Sequence, residues 1–295
     1  MSSVEINGGI VVYEVLGEED GIPVVLTPGG RAPRGFLRSL GGLLAEGGLK
    51  VLIWDRPNGG ESDIQFGDRW PTESHMHADT LQQLIKHLGW GPTVVVGASA
   101  GARVSIITAL EYPEITRGLF LWHIAGGIYP TLALGNAYIV ENITTARKGG
   151  VEAVMELPHW KQRIEQNPRN KERFEALSSE ELISVLKLWL SAFIPTPGQV
   201  IPGVRDDELA TISAPTAIIR SGENDEEHPL LTCYSVHALI KGSKVVEPPW
   251  EEDAWEKAFA NTLKTGGPNN AFALNDKAAP LILDFARTTG PGAGA

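Results

Sequence analysis

A serine set between small residues follows a short apolar run one third of the way along the chain. Residues 94–104 read VVVGASAGARV, in which Gly97, Ser99 and Gly101 fit the pattern G-x-S-x-G. The pattern places the serine on a sharp turn between a buried strand and a helix, so that its hydroxyl projects above the sheet. The helix N-terminus then directs amide dipoles at any anion that forms beside the hydroxyl. The stretch predicts a nucleophilic serine.

Short apolar runs alternate with helix-length segments, and these elements would position the serine. Runs such as IPVVLT, KVLIWD, TVVVGA, GLFLWH and TAIIRS are continuous in hydrophobicity. Continuous runs favour strands that are covered on both faces, and hence a mainly parallel sheet wrapped by helices. Residues 3–16 predict an antiparallel start to this sheet. Helical patterns such as SEELISVLKLWLSAF replace the strands between residues 127 and 212, which predicts a helical insertion above the sheet.

Three segments give the chain its resemblance to the α/β-hydrolases. GASAG matches the family's nucleophile turn, VLIWDRPNGGESD resembles its D-x-x-G-x-G-x-S segment, and IIRSGENDEEHP resembles its acid-bearing loop. The DRPN and PPW segments are like those of one bacterial and fungal subgroup. The resemblance covers nearly the whole chain. It implies an α/β-hydrolase core at residues 1–126 and 213–295, with a lid at residues 127–212 inserted after the sixth strand.

The resemblance also implies roles for particular residues. Ser99 would be the nucleophile and Asp225 the acid of a catalytic triad. The backbone N–H groups of Gly30, in TPGGR, and of Ala100 would form the oxyanion hole.

The base that activates the serine departs from the family pattern. The family's base lies after the last strand, whereas no histidine follows His237 here. His228 lies three residues after Asp225, so one loop is able to present both acid and base. His123, at the end of the predicted sixth strand, is an alternative. A further alternative is a carboxylate of the run Glu251, Glu252 and Asp253, which lies between two tryptophans that would raise a carboxyl pKa.

The remaining candidates concern metals and the substrate cavity. His75 and His77 have a His-x-His spacing, but they begin a predicted helix far from the serine, and we expect neither metal nor cofactor. Arg31 is either a ligand for a substrate carboxylate or a solvated loop residue. His123, Trp160 and Trp189 are possible cavity residues. The helical spacing around Trp189 also fits a place in the core of the lid.

Composition excludes several classes of function. The net charge of -11, with 25 basic and 36 acidic residues, argues against a nucleic-acid groove. Cys233 is the single cysteine, which fits a reducing compartment. Neither a signal peptide nor an apolar stretch of about 20 residues is found. We expect a cytoplasmic protein that acts on a small molecule, without nucleic acid or membrane partners; the sequence leaves the oligomeric state open, a homodimer included.

These features predict a serine hydrolase that acts on a small, largely apolar ester, lactone or activated carbon–carbon bond through an acyl-enzyme at Ser99. Two alternatives remain at this point. One is a lyase or a cofactor-free proton-transfer enzyme on the same fold, which the missing late histidine motivates. The other is a ligand-binding protein whose triad has decayed, because a fold does not fix a function.

Overall fold

A single eight-stranded sheet forms the centre of the computed structural model, which describes residues 1–265 and 270–289. The strands are β1 (Ser2–Ile6), β2 (Gly9–Leu16), β3 (Ile22–Thr27), β4 (Leu49–Trp54), β5 (Thr93–Ala98), β6 (Thr116–Trp122), β7 (Thr216–Ile219) and β8 (Lys244–Val246). Their order is β1-β2-β4-β3-β5-β6-β7-β8. The β1–β2 and β2–β4 pairs are antiparallel, and all other neighbours are parallel. The predicted parallel sheet with an antiparallel start is confirmed.

Helices cover both faces of the sheet and fill the long segment between β6 and β7. They are α1 (Arg38–Glu46), α2 (Glu73–His87), α3 (Ala100–Glu111), α4 (Ile128–Gly135), α5 (Glu141–Met155), α6 (Pro158–Gln166), α7 (Arg169–Glu175), α8 (Ser179–Leu190), α9 (Asp206–Leu209), α10 (Leu230–Leu239), α11 (Ala254–Thr265) and α12 (Ala279–Thr288). A π-helical turn, Asn136–Val140, joins α4 to α5. Within the described ranges, no helix is both long and apolar enough to cross a membrane.

The central strand β5 illustrates why the apolar runs are continuous. Every residue of β5 is buried. Val94 and Val96 pack into the hydrophobic layer on one face of the sheet, and Val95 packs into the layer on the other face. Because side chains alternate between faces along a strand, two covered faces require apolar residues at every position.

The segment between β6 and β7 forms a third hydrophobic core together with residues that follow β4. Its centre is a group of aromatic side chains, in which Trp160, Phe174 and Trp189 surround Phe66 at ring distances between 5.8 and 5.9 Å. All three are at most 1 % exposed. The segment is helical, as its sequence pattern predicts. The predicted core range that surrounds it includes residues 266–269 and 290–295, which lie outside the described residues.

Candidate active site

Ser99 lies on a strained turn between β5 and α3. Its backbone angles are φ 53° and ψ -119°, in the positive-φ region that residues other than glycine rarely adopt. A Cβ atom on Gly97 would lie 2.3 Å from the carbonyl oxygen of Gly101, and one on Gly101 would lie 2.2 Å from that of Thr27. Only glycine fits at these two positions. The close approach that the G-x-S-x-G spacing predicts is therefore present.

His228 links Ser99 to Asp225. Its Nε2 lies 3.0 Å from the Ser99 Oγ, and its Nδ1 lies 3.0 Å from the Asp225 Oδ2. The imidazole and the carboxylate are buried, whereas Ser99 is half-buried. The structure thus brings together the serine, the acid and the favoured base in one hydrogen-bonded chain.

The loop after β7 holds the acid and the base in a fixed relation. One carboxylate oxygen of Asp225, Oδ1, accepts the backbone N–H groups of Glu227 at 3.1 Å and His228 at 2.9 Å. Burial on its own would raise the pKa of Asp225, but the hydrogen bond from the His228 ring, together with the charge and the backbone N–H of His228, holds that pKa below its ordinary value. Asp225 is therefore ionised at neutral pH and leaves its other oxygen free to orient the imidazole.

The segment after β8, where the family's base is expected, supplies tryptophans instead. The Trp255 ring meets the His228 ring edge-on, with centroids 4.7 Å apart and an interplanar angle of 78°. Trp250 packs against His123 at 5.5 Å. Sequence reasoning noted both indoles only as neighbours of the acidic run, and it missed their contact with the imidazoles.

The side chains of the acidic run pair with basic residues, and the group that hydrogen-bonds with Ser99 is His228. Glu252 pairs with Arg220 at 3.0 Å, and Asp253 and Glu251 pair with Lys257 at 2.8 and 3.3 Å. These are surface ion pairs, so the carboxylate alternative for the base is wrong.

His123 packs against His228 and makes no hydrogen bond with Ser99 among the described residues. Its ring stacks on that of His228 with centroids 5.0 Å apart, and its backbone has φ 48°. Burial, and secondarily the charge on His228, lowers the pKa of His123 to about 3. His123 is thus neutral at physiological pH and packs behind the imidazole that bonds to Ser99.

Two backbone N–H groups are available beside Ser99. Ala100 is the first residue of α3, and Gly30 has a φ of 49° in the loop after β3. Neither N–H has an acceptor among the residues that the structure describes. The guanidinium of Arg56 donates to the carbonyl of Gly30 and so holds this loop in place. That these two N–H groups form an oxyanion hole stays a prediction.

A cavity of about 200 Å³ opens onto Ser99 and His228. The remaining lining residues are mostly apolar or aromatic and come from the loops and from the helical segment: Gly30, Ala125, Tyr129, Pro130, Ala133, Leu134, Tyr138, Glu227 and Trp255. Trp160 and Trp189 do not line this cavity. They lie in the core of the helical segment because they are needed there to pack its helices together, which corrects the expectation that they form the cavity roof.

A second and smaller cavity lies on the other side of Gly30. Arg31 lines it and is not a solvated loop residue, because its Nη2 pairs with Glu73 at 3.5 Å and its guanidinium lies 5.0 Å from the ring centres of Tyr138 and Trp160. His77 lines the same cavity as Ala100, so the expectation that this histidine lies far from the serine is wrong. The packing of α2 against α3, which the sequence pattern does not reveal, brings it there.

The His75-x-His77 spacing does not form a metal site. The Nδ1 of His75 hydrogen-bonds with the Thr72 hydroxyl at 2.7 Å, and the Nε2 of His77 hydrogen-bonds with the Pro57 carbonyl at 2.9 Å. In the described ranges, no group of three or more histidine, cysteine or acidic side chains is placed to hold a metal ion.

Comparison with known proteins places the fold. The sequence model of a family described as alpha/beta hydrolase fold matches residues 22–132. A hydrolase from Pseudomonas aeruginosa is 18% identical with a TM-score of 0.61, and the match covers 96% of this chain and 97% of that chain. An enol-lactonase from Burkholderia xenovorans is 19% identical with a TM-score of 0.58, over 90% and 98%. A thermophilic esterase from Thermogutta terrifontis is 18% identical with a TM-score of 0.61, over 97% of each chain. The chain has the α/β-hydrolase fold.

Proposed function

We propose that the protein is a serine hydrolase that cleaves a small ester or lactone through an acyl-enzyme at Ser99. The observation that carries the proposal is the unbroken chain of hydrogen bonds from Ser99 through His228 to Asp225, in which each of the two bonds measures 3.0 Å. A serine, an imidazole and an orienting carboxylate in this order are the parts that nucleophilic acyl transfer requires.

The first half of the reaction forms the acyl-enzyme. The Oγ of Ser99 attacks the substrate carbonyl while the Nε2 of His228 takes its proton. The negative charge that develops on the carbonyl oxygen is stabilised by the N–H groups of Gly30 and Ala100. The bond to the leaving oxygen then breaks, and His228 returns the proton to that oxygen, so that an alcohol departs.

The second half releases the acid. His228 takes a proton from a water molecule, and the resulting hydroxide attacks the acyl carbon. The same two N–H groups hold the oxyanion, and the proton returns to Ser99 when the acyl bond breaks. Asp225 stays ionised throughout, because its lowered pKa keeps it a carboxylate beside the protonated imidazole.

The cavity supports a small substrate with apolar groups. A volume of about 200 Å³ leaves little room beyond a short acyl chain and its leaving group, and most of the lining is apolar or aromatic. Four of its residues, Tyr129, Pro130, Ala133 and Leu134, belong to α4. The helical segment between β6 and β7 thus acts as the lid in this proposal. Cleavage of an activated carbon–carbon bond would use the same residues.

The names of two similar structures agree with this choice of reaction. One is an enol-lactonase and another is an esterase. Lactones and esters are also the two kinds of acyl compound that the proposal gives this protein as substrates.

Turnover of short-chain esters and lactones by the protein and by Ser99→Ala tests the proposal. We expect hydrolysis of at least one short-chain compound, an acyl adduct on Ser99 in rapidly quenched samples, and loss of both in the variant. Hydrolysis that persists in Ser99→Ala would contradict the proposal and favour proton transfer without an acyl-enzyme. Ligand binding without turnover across the whole panel would instead favour a binding protein.

A further inference from the structure

The small cavity on the far side of Gly30 has an unusual concentration of positive charge. Three arginines line it, Arg31, Arg56 and Arg103, together with one acidic residue, Glu73. Each arginine lies next to a motif that builds the candidate active site. Arg31 follows the oxyanion-hole glycines, Arg56 is in DRPN, and Arg103 is two residues after the G-x-S-x-G turn.

The charges in this cavity do not balance. Burial would raise the pKa of Glu73, but the neighbouring Arg31, followed by His77, Asn58 and Arg56, lowers it to about 2, so Glu73 carries one negative charge. Burial lowers the pKa of His77 to about 3, so this histidine is neutral. Three guanidinium groups against one carboxylate leave the cavity lining with two uncompensated positive charges. Buried charge without a counter-charge is costly, and such a site favours an anion.

Several donors in the cluster have no partner in the described part of the chain. The Nε and Nη1 of Arg31 are buried and make no hydrogen bond. Arg103 donates its Nε to Ser74 at 2.9 Å and lies 4.8 Å from the Phe193 ring, so that its Nη groups remain without a hydrogen bond among the described residues. These arginines of the cavity lining thus retain guanidinium donors without hydrogen-bond partners among the described residues, and such donors are suited to carboxylate recognition.

The cavity adjoins the candidate oxyanion hole. Gly30 and Ala100, which supply the two N–H groups, both line it. Gly30 and Tyr138 also line the larger cavity that contains Ser99, so they separate the two. Tyr138 belongs to the π-helical turn between α4 and α5, a type of irregularity that often occurs at functional sites.

We propose that the arginine cavity, lined by Arg31, Arg56 and Arg103, binds a carboxylate carried by the acyl group of the substrate. This inference rests on the proposed hydrolase function and narrows its substrate class to half-esters or lactones of short acids that carry a second carboxylate. The cavity measures about 10 Å³, which is the space that one water-sized group needs. One carboxylate oxygen fills it, and the rest of the carboxylate lies between Gly30 and Tyr138.

Matched ester pairs test the inference. The monoethyl esters of malonic, succinic and glutaric acid differ from the corresponding monoethyl ester monoamides by one charge at nearly constant shape. For at least one pair, we expect the kcat/KM of the monoethyl ester with a free carboxylate to exceed that of the ester monoamide by about tenfold or more. Arg103→Gln should abolish this preference and Arg103→Lys should retain part of it. Arg205→Gln, which removes an exposed arginine outside the cavity, should leave the preference unchanged.

A direct binding measurement separates this inference from the proposed function. Formate, the smallest carboxylate, should raise the midpoint of thermal unfolding by about 2 °C or more, and formamide should not. Arg103→Gln should lose the formate effect and Arg205→Gln should retain it. Formate should also compete with the acid esters. If formate binds without competing with the acid esters, the cavity is a site for a free anion and not for the substrate's carboxylate, and the inference is overturned.

The two proposals fail in different ways. Equal hydrolysis of acids and amides at all three chain lengths would overturn the carboxylate subsite and leave the serine hydrolase intact. Absence of a formate effect would overturn the subsite even if no ester were hydrolysed. Formate binding that depends on Arg103, together with complete absence of hydrolysis, would support the carboxylate site while contradicting the proposed reaction.

Discussion

Asp225 and His228 are joined twice, although only two residues lie between them. One carboxylate oxygen accepts the backbone N–H of His228 at 2.9 Å, and the other lies 3.0 Å from its ring Nδ1. The first bond fixes the loop and the second fixes the ring, so the acid determines both where the imidazole lies and which nitrogen faces Ser99. A short loop after β7 thereby presents both the carboxylate and the imidazole, and the segment after β8 packs indoles against the imidazoles.

We expect His228→Ala to lower kcat/KM for a short-chain ester by about ten-thousand-fold, because Ser99 loses the group that accepts its proton. Asp225→Asn should cause a loss of similar size. The amide retains one oxygen for the backbone N–H groups but does not stabilise the charged imidazole. Steady-state kinetics on the purified variants measures both effects.

The control for these variants is His237→Ala. His237 lies on α10, and its Nδ1 hydrogen-bonds with the Ser243 hydroxyl at 2.8 Å. The kcat/KM of the His237→Ala variant should stay within about twofold of that of the parent protein, since His237 lies outside the hydrogen-bonded chain. An unchanged rate in His228→Ala would remove this residue from the mechanism.

Gly101→Ala should lower the free energy of unfolding by roughly 2 kcal/mol or more, because the added methyl group would lie 2.2 Å from the Thr27 carbonyl oxygen. Gly42→Ala is the matched control. It lies within α1 and has no atom within 4 Å of its added Cβ, so it should raise stability by about 0.5–1 kcal/mol. Urea unfolding gives both values. Equal effects of the two substitutions would contradict the close approach of α3 to the end of β3.

Local patterns were enough to predict the sheet and the serine turn. Both follow from short-range physics: continuous apolar runs are required where a sheet is covered on two faces, and the glycines of G-x-S-x-G are required where backbones nearly touch. Asp225 was identified by resemblance, because its loop follows a strand with a familiar spacing.

The base and the arginine cavity depend on contacts between distant segments, which local patterns do not contain. The choice between His228 and His123 depends on which ring lies 3.0 Å from Ser99, and both occupy the same sheet edge. The packing of α2 beside α3 brought Glu73 and His77 next to Ala100. Trp160 and Trp189 have a spacing that fits either a core or a cavity wall, and the tertiary packing decided for the core.

The stability of the protein should fall as the pH is lowered from 6.5 toward 4. Burial lowers the pKa of both His77 and His123 to about 3, so the folded chain keeps them neutral while the unfolded chain takes up a proton at each below about 6.5. Each proton contributes a slope of up to about 1.4 kcal/mol per pH unit, and this stability is present above pH 6.5 and lost below it. Glu73, whose pKa is lowered to about 2, adds a further loss below about pH 4.5.

The variant His123→Asn tests this pH dependence, because asparagine adopts positive φ more readily than most residues. The slope of the unfolding free energy against pH, measured by urea titration between pH 6 and pH 4, should decrease by the contribution of one proton, which is up to about 1.4 kcal/mol per pH unit. An unchanged slope would mean that His123 titrates in the folded protein.

Trp255, beside the candidate active site, and Trp189, in the core of the helical segment, should respond differently to truncation. Trp255→Ala removes the ring that lies 4.7 Å from His228 and should lower kcat/KM by about tenfold or more, with rescue by Trp255→Phe. Trp189→Ala removes a fully buried side chain and should lower the free energy of unfolding by about 3–5 kcal/mol. Kinetics and urea unfolding on both variants separate the two roles. A stability loss in Trp255→Ala equal to that in Trp189→Ala would contradict this distinction.

The rate at which a fluorophosphonate labels Ser99 tests the central claim most directly, because it measures activation of the serine without any assumption about the substrate. We expect a single adduct, located on Ser99 by peptide mass analysis, and a labelling rate that falls by about a thousandfold or more in His228→Ala and not in His237→Ala. Labelling of His228→Ala at the rate of the parent protein, or no labelling of Ser99 at all, would contradict the account.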